Sequence, residues 1–135
     1  MDIVTQLKRD EGVRRTVYTD SLGIPTIAVG RNLRDKGLND AEIDFLLAND
    51  IAEVRTALSR FSWYTDLDPV RQGALENMAF NMGWADLLHF PAMLHCLSSK
   101  DWAGAASAAL DSLWAKQVGP RADRLARQLR TGEWQ

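Results

Sequence analysis

The sequence predicts an α+β fold, with a small sheet near the N-terminus and a helical remainder. Three observations predict it. Short β-favouring runs are confined to the first thirty-odd residues. Apolar residues after Asn39 recur at helical spacing. Caps and stops for further helices then follow to the end of the chain, without an internal repeat, low-complexity tract or flexible linker.

The first helix is expected from about Asp2 to Asp10 or Glu11, with Asp2 as its cap and Gly12 as its stop. Ile3, Leu7 and Glu11 follow one another at four-residue spacing, so a stripe expected to bury Ile3 and Leu7 ends on a carboxylate. That is an unusual position for a glutamate unless it lines a cleft. VYTD and TIAVG, separated by SLGIP with its turn residues Gly23 and Pro25, predict a hairpin or the start of an antiparallel sheet. Arg31 to Gly37 continues as a loop or a last short strand.

LNDAEIDFLLANDIAEVRTALSRF predicts a long helix. Asn39 caps it, Glu42 completes a capping box, and Ile43, Leu46, Leu47, Ile51, Val54 and Leu58 form the apolar face. Asp68 followed by Pro69 opens another helix, which carries Val70, Ala74, Leu75, Met78 and Met82 and ends at Gly83. Shorter helices are expected over Trp84 to Leu88, Pro91 to Leu97 and Asp101 to Leu113. A last helix starts at Pro120 and ends before Gly132.

Composition limits the function classes. A length of 135 residues, 46% of them hydrophobic, suits one domain with a real core or two small lobes sharing a helix. The single cysteine, Cys96, excludes an intramolecular disulfide and reads as a small buried hydrophobe. The charged N-terminus is no Sec signal, and no apolar run approaches the roughly 20 residues needed to span a bilayer. A soluble cytoplasmic product, with no stable membrane insertion, is therefore expected. A net charge of −2 does not suggest a nucleic-acid binder, although Lys116, Arg121, Arg124, Arg127 and Arg130 outnumber Asp123 and Glu133 near the C-terminus. That basic face would suit an anionic envelope surface, or is simply solvated. His89 and His95 lie six apart, no metal-ligand spacing on a helix face, and no phosphate-binding glycine motif occurs, so no metal and no cofactor is expected.

Glu11, Asp20 and Thr26 then stand out, on a helix end, a strand end or turn, and a strand start. Two carboxylates in unlike environments are what glycosidic hydrolysis requires: one protonates the leaving oxygen, the other activates a water or stabilises an oxocarbenium-like centre. Glu11, at the end of an apolar stripe, suits the acid, because desolvation disfavours its charged form. Asp20, in a polar turn beside Thr19 and Ser21, suits the ionised partner, and the Thr26 hydroxyl could hold the attacking water. An everyday helix-end Glu and turn Asp remain the alternative reading of the residues alone.

The order and spacing of Glu11-Gly12, Tyr18-Thr19-Asp20, Gly23 and Thr26-Ile27-Ala28-Val29-Gly30 resemble the catalytic segment of the phage-type (T-even-phage-like) lysozymes. LNDAEIDFLLANDI is similar to that family's interlobe helix, VRQGALENMAFNMG to its central C-lobe helix, and RADRLARQLRTGEW to its closing segment. The resemblance implies one lysozyme-like domain over residues 1–135: a sheet-bearing lobe with the first helix (1–38), an interlobe helix (39–60) and a helical lobe (61–135). It implies a muramidase, an endolysin acting as a monomer on peptidoglycan glycan strands and held in the host bacterial cytoplasm before release. It makes Glu11 the general acid, Asp20 its partner carboxylate and Thr26 the water-positioning residue. An inverting mechanism follows, with carboxyls about 6.5–9.5 Å apart.

By the same resemblance Phe80 and Asn81 would contact sugar, with Met93, Trp114, Gln117 and Arg121 as weaker candidates. Read from the residues alone, Phe80 suits a core position equally, and the tryptophans suit packing. Two departures stand out. Arg31 replaces the histidine that usually follows the glycine of the Thr-Ile segment, and it would pair with Asp50 on the interlobe helix, keeping an ion pair whose cation does not titrate. The few residues between Arg31 and Asn39 imply a reduced sheet lobe and leave the number of sugar subsites open. Two rivals remain at this point: a lytic transglycosylase, which needs an acid but no water-activating aspartate, and a wall-binding domain without activity.

Overall fold

The polar residues that flank each apolar run set the ends of the helices. A computed structural model describes residues 1–135 and divides them into two compact units, Met1–Leu46 and Leu47–Gln135.

In the first unit, α1 (Ile3–Glu11) opens with the Thr5 N–H donating to Asp2 Oδ1 at 2.8 Å and stops at Gly12, whose φ of 77° turns the chain into the sheet. Strands β1 (Arg14–Thr19), β2 (Pro25–Ala28) and β3 (Arg31–Asn32) form an antiparallel sheet in that order. Tyr18 pairs with Thr26, Thr26 with Asn32, and the β1–β2 register shifts between Arg14 and Tyr18. The central strand thus holds Thr26, which is 4% exposed and is the one buried residue of this unit. The expectation that α1 buries Ile3 and Leu7 is corrected: they are 62% and 44% exposed, and no residue of α1 is buried. Three short strands and one helix offer too little apolar surface for a closed core.

Helix α2 (Asp40–Leu58) begins in the first unit and ends in the second. Its capping box is complete, with Glu42 N–H donating to Asn39 Oδ1 at 2.9 Å and Asn39 N–H to Glu42 Oε1 at 3.0 Å. Of the apolar face expected along α2, only Leu58 is fully buried, while Ile43, Leu46 and Leu47 remain nearly half exposed.

The second unit continues with α3 (Ser62–Thr65), α4 (Pro69–Met82), α5 (Trp84–Leu87), α6 (Pro91–Ser98), α7 (Trp102–Leu110), α8 (Leu113–Val118) and α9 (Pro120–Thr131). Leu58, Leu75, Met78, Leu87, Met93 and Leu129 are its largest fully buried side chains. Helix α9 packs on α7 and α4. The helix expected over Asp101 to Leu113 ends early, at Leu110, and the unforeseen α8 follows because Ser112 caps it: its hydroxyl accepts from Ala115 N–H at 3.1 Å and donates to Ala109 O at 2.7 Å. The four-residue α3 was not anticipated. No helix is long and apolar enough to cross a membrane.

Candidate active site

Glu11 is the last residue of α1, and its carboxyl lies against the turn that follows β2. A Cβ built on Gly30 would stand 3.0 Å from Glu11 Oε2, closer than a side chain and a carboxylate ordinarily approach. Gly30 also has a φ of 64°, so the backbone favours glycine there, and any Cβ would press on the Glu11 carboxyl. Two residues earlier Ala28 holds a φ of 60°, at a cost of about 1 kcal/mol for a residue with a Cβ. Glu11 itself is exposed, so the shielding expected from its place on an apolar stripe is absent.

Asp20 and Thr26 are fixed by one main-chain residue between them, Ile24. Asp20 Oδ1 accepts from the N–H groups of Leu22 (2.8 Å) and Ile24 (2.9 Å). Ile24 O in turn accepts from Asp20 N–H (3.0 Å) and from the Thr26 hydroxyl (2.9 Å). The loop is an Asx-type turn closed at both ends. It spends Oδ1 on the backbone and leaves Oδ2 without a protein partner. It also commits the Thr26 proton, so that hydroxyl can offer lone pairs but no donor. Sequence reasoning missed Ile24, whose part is played by its peptide groups.

Arg31 meets Glu42, which corrects the pairing expected with Asp50. Its Nη1 donates to Glu42 Oε1 at 2.8 Å, stands 2.6 Å from Oε2, and reaches Gly37 O at 3.1 Å. The Arg31 hydrogen bond, followed by the Asn39 N–H, holds the Glu42 carboxyl below the ordinary glutamate value, and the Glu42 hydrogen bond raises Arg31 correspondingly. The pair joins β3 to the first turn of α2. The reason for the correction lies in the capping box, which already presents Glu42 at the helix start. Asp50 belongs to the second unit, in a hollow with Glu53, Ala79 and Trp84.

Among the proposed sugar contacts, all in the second unit, two are corrected. Met93 is fully buried in the core, and Trp114 is 7% exposed, packed edge-on against Phe90. The Trp114 indole N–H donates to Asn81 Oδ1 at 2.8 Å, so Asn81 positions a core aromatic. Phe80 is 48% exposed and lines a hollow of about 350 Å³ together with Asn77, Arg121 and Trp134. Arg121 is held by Asn77, donating from Nε and Nη2 to Oδ1 at 2.9 and 2.6 Å. Gln117 is exposed. No three His, Cys, Asp or Glu side chains converge in the manner of a metal site.

Known proteins resemble the chain over most of its length. A profile of the phage lysozyme family matches residues 8–131. The chain is 32% identical, over 98% of its length, to the pre-baseplate central spike protein Gp5 of Enterobacteria phage T4, and spans 28% of that protein. It is 29% identical to a probable T4-type lysozyme of Dictyostelium discoideum, covering 96% of this chain and 94% of that one. With the endolysin of Salmonella phage P22 the identity is 34%, over 84% of this chain and 80% of the relative. A match over nearly the whole length, with Glu11, Asp20 and Thr26 inside it, establishes that the chain belongs to the phage lysozyme family, as a lysozyme-type glycoside hydrolase.

Proposed function

We propose that the chain is a muramidase that hydrolyses the β-1,4 bond from N-acetylmuramic acid to N-acetylglucosamine in peptidoglycan, with inversion. The hydrogen bonding around Ile24 carries this reading. A nucleophilic water must direct its O–H bonds at acceptors, lose one proton to a base and keep a lone pair for the sugar carbon. Asp20 Oδ2 and the Thr26 oxygen are two acceptors held by one turn, and the Thr26 proton is already engaged. Glu11 supplies a proton to the leaving oxygen of N-acetylglucosamine. The water oxygen forms the new bond to the anomeric carbon of N-acetylmuramic acid, and Asp20 receives the water's proton. Of the other sugar-contact candidates, the exposed Phe80 and Gln117 and the Asn77-held Arg121 suit the role.

An endolysin role accords with the P22 relative, with the protein held in the cytoplasm of the host until lysis and acting on the wall afterwards. The first anomer released decides the stereochemistry. Proton NMR of a chitooligosaccharide or muropeptide digest should show the α-anomer before mutarotation. The β-anomer as first product, or an Asp20→Asn variant with full turnover, would remove the inverting mechanism.

A further inference from the structure

Trp84 opens α5, is half-buried, and lines a hollow of about 300 Å³ in the second unit. Asp50 and Glu53, one turn apart on α2, contribute to the same hollow, as do Ala79, Phe80 and Gly83 at the end of α4. Ala79 is buried, whereas Phe80 is 48% exposed. A Cβ on Gly83 would meet nothing within 4 Å, so nothing crowds the backbone between Phe80 and Trp84.

The Trp84 indole is already held in place. The Arg60 guanidinium lies over its ring, 5.3 Å from the centre, and the Phe61 ring stands 6.5 Å away, tilted by 40°. Phe61 in turn stacks on Trp63 at 4.9 Å. A ring fixed before a ligand arrives loses little freedom on binding it. The two carboxylates are uncommitted. Asp50 and Glu53 are exposed, and neither has an ion pair or a side-chain hydrogen bond, so their oxygens are free acceptors.

From this we infer that the hollow is a saccharide subsite, in which Trp84 stacks on the C–H face of one N-acetylhexosamine ring and Asp50 and Glu53 accept from its hydroxyls. Its ligand is the glycan strand of the muramidase proposal, on which this assignment rests. A pyranose presents an apolar face and a girdle of hydroxyl donors, and the hollow presents an aromatic ring beside free acceptors. An aliphatic partner would leave both carboxylates dehydrated and unpaired. An ammonium ligand would bring a second cation to an indole that already carries Arg60. The volume lies at the lower end of ligand pockets and suits a single ring. Trp84 was not among the sugar contacts expected from the sequence; Phe80 was, and it borders this hollow as well.

Titration of the full chain with N-acetylchitohexaose, followed by proton–nitrogen NMR, tests it. The Glu11→Gln protein serves as the parent, so that the oligomer stays uncut and binding is read without turnover. The five tryptophans give five indole N–H signals, and Trp84→Phe identifies the one in question. That signal should move with the sugar. Trp84→Ala in the same parent should weaken binding about tenfold, whereas Trp84→Phe, which keeps a ring, should stay within about threefold. An unmoved Trp84 signal while other signals shift, equal affinity of the folded Trp84→Ala protein, or no binding at millimolar sugar would each overturn the inference. Failure of the muramidase proposal reads out elsewhere, as a wild type that binds the oligomer through Trp84 but digests no peptidoglycan.

Discussion

Gly30 shows how much of the site depends on a side chain that is missing. Its positive φ excludes ordinary residues, and its bare Cα gives Glu11 the space for its carboxyl. Gly30→Ala should cost about 1–2 kcal/mol of stability from the backbone alone. Because the atom it meets is the mobile end of Glu11, the added methyl moves the acid rather than the turn. An ångström at a reacting group is worth up to roughly a hundredfold. Turnover should therefore fall by about ten- to a hundredfold at a temperature where the variant remains folded, measured by turbidity loss of permeabilised cells alongside thermal unfolding. Full activity with lowered melting would show that Glu11 needs no such seat. At this scale the sequence was legible where chemistry resides in side-chain type. Glu11, Asp20 and Thr26 were singled out as candidates that way. Ile24 was not, because its part lies in peptide groups that every residue shares. Nor was the Arg31–Glu42 pair, since the capping role of Glu42 gave no hint of a second use.

Among the elements, α9 is closed at its C-terminal end by the Gly132 N–H, which donates to Gln128 O, and by one arginine that reaches the next carbonyls. Arg71 donates from Nε to Leu129 O at 2.7 Å and from Nη2 to Arg130 O at 3.2 Å, binds Asp68 Oδ2 at 2.8 Å, and lies 4.0 Å above the centre of the Trp102 ring. It thus neutralises the carbonyls left free where the helix ends. Arg71→Met keeps most of the packing but strands those acceptors, and should cost about 2–4 kcal/mol in urea unfolding. A loss below about 0.5 kcal/mol would mean water replaces the guanidinium without penalty. Its partner Asp68 gives the pH dependence. Burial raises the Asp68 carboxyl, but the side-chain and backbone hydrogen bonds of Arg71 outweigh it, and the net direction is down. A carboxylate depressed in the folded state contributes stability above its unfolded value, and loses it as pH falls through the folded one. Asn also caps helices well, so Asp68→Asn removes the charge and keeps the cap. The variant should melt below wild type at neutral pH, and the gap should close below the ordinary aspartate value of 3.8. A gap constant down to acid pH would assign the effect to packing. Helix ends were the most legible features of the chain, since Asp2, Asn39 and Asp68 cap where their residue types predict. Ser112 obeys the same rule, but it sits inside a run of helix formers whose pattern outweighed a single hydroxyl.

For the whole molecule, the α+β class follows from where the two periodicities change, and the sheet and helices lie on either side of that change. Periodicity says which residues share a face, not whether anything covers it. The α2 stripe, read as one apolar face, is fully buried only at Leu58, while Ile43, Leu46 and Leu47 keep much of their surface. The core gathers in the second unit, around Leu75, Met78 and Met93, and the proposed catalytic residues lie in the first, with its one buried threonine. A candidate set with so little core beneath it relies on hydrogen-bonded turns to hold its side chains, and the Asp20–Ile24–Thr26 loop is such a turn. The central claim, that this set hydrolyses the glycan strand through Glu11, is tested most directly by mass spectrometry of purified peptidoglycan digested with the wild type and with Glu11→Gln. The account predicts soluble fragments ending in reducing N-acetylmuramic acid from the wild type and none from the variant, at equal melting temperatures. Anhydro-muramic ends, or equal digestion by Glu11→Gln, would contradict it.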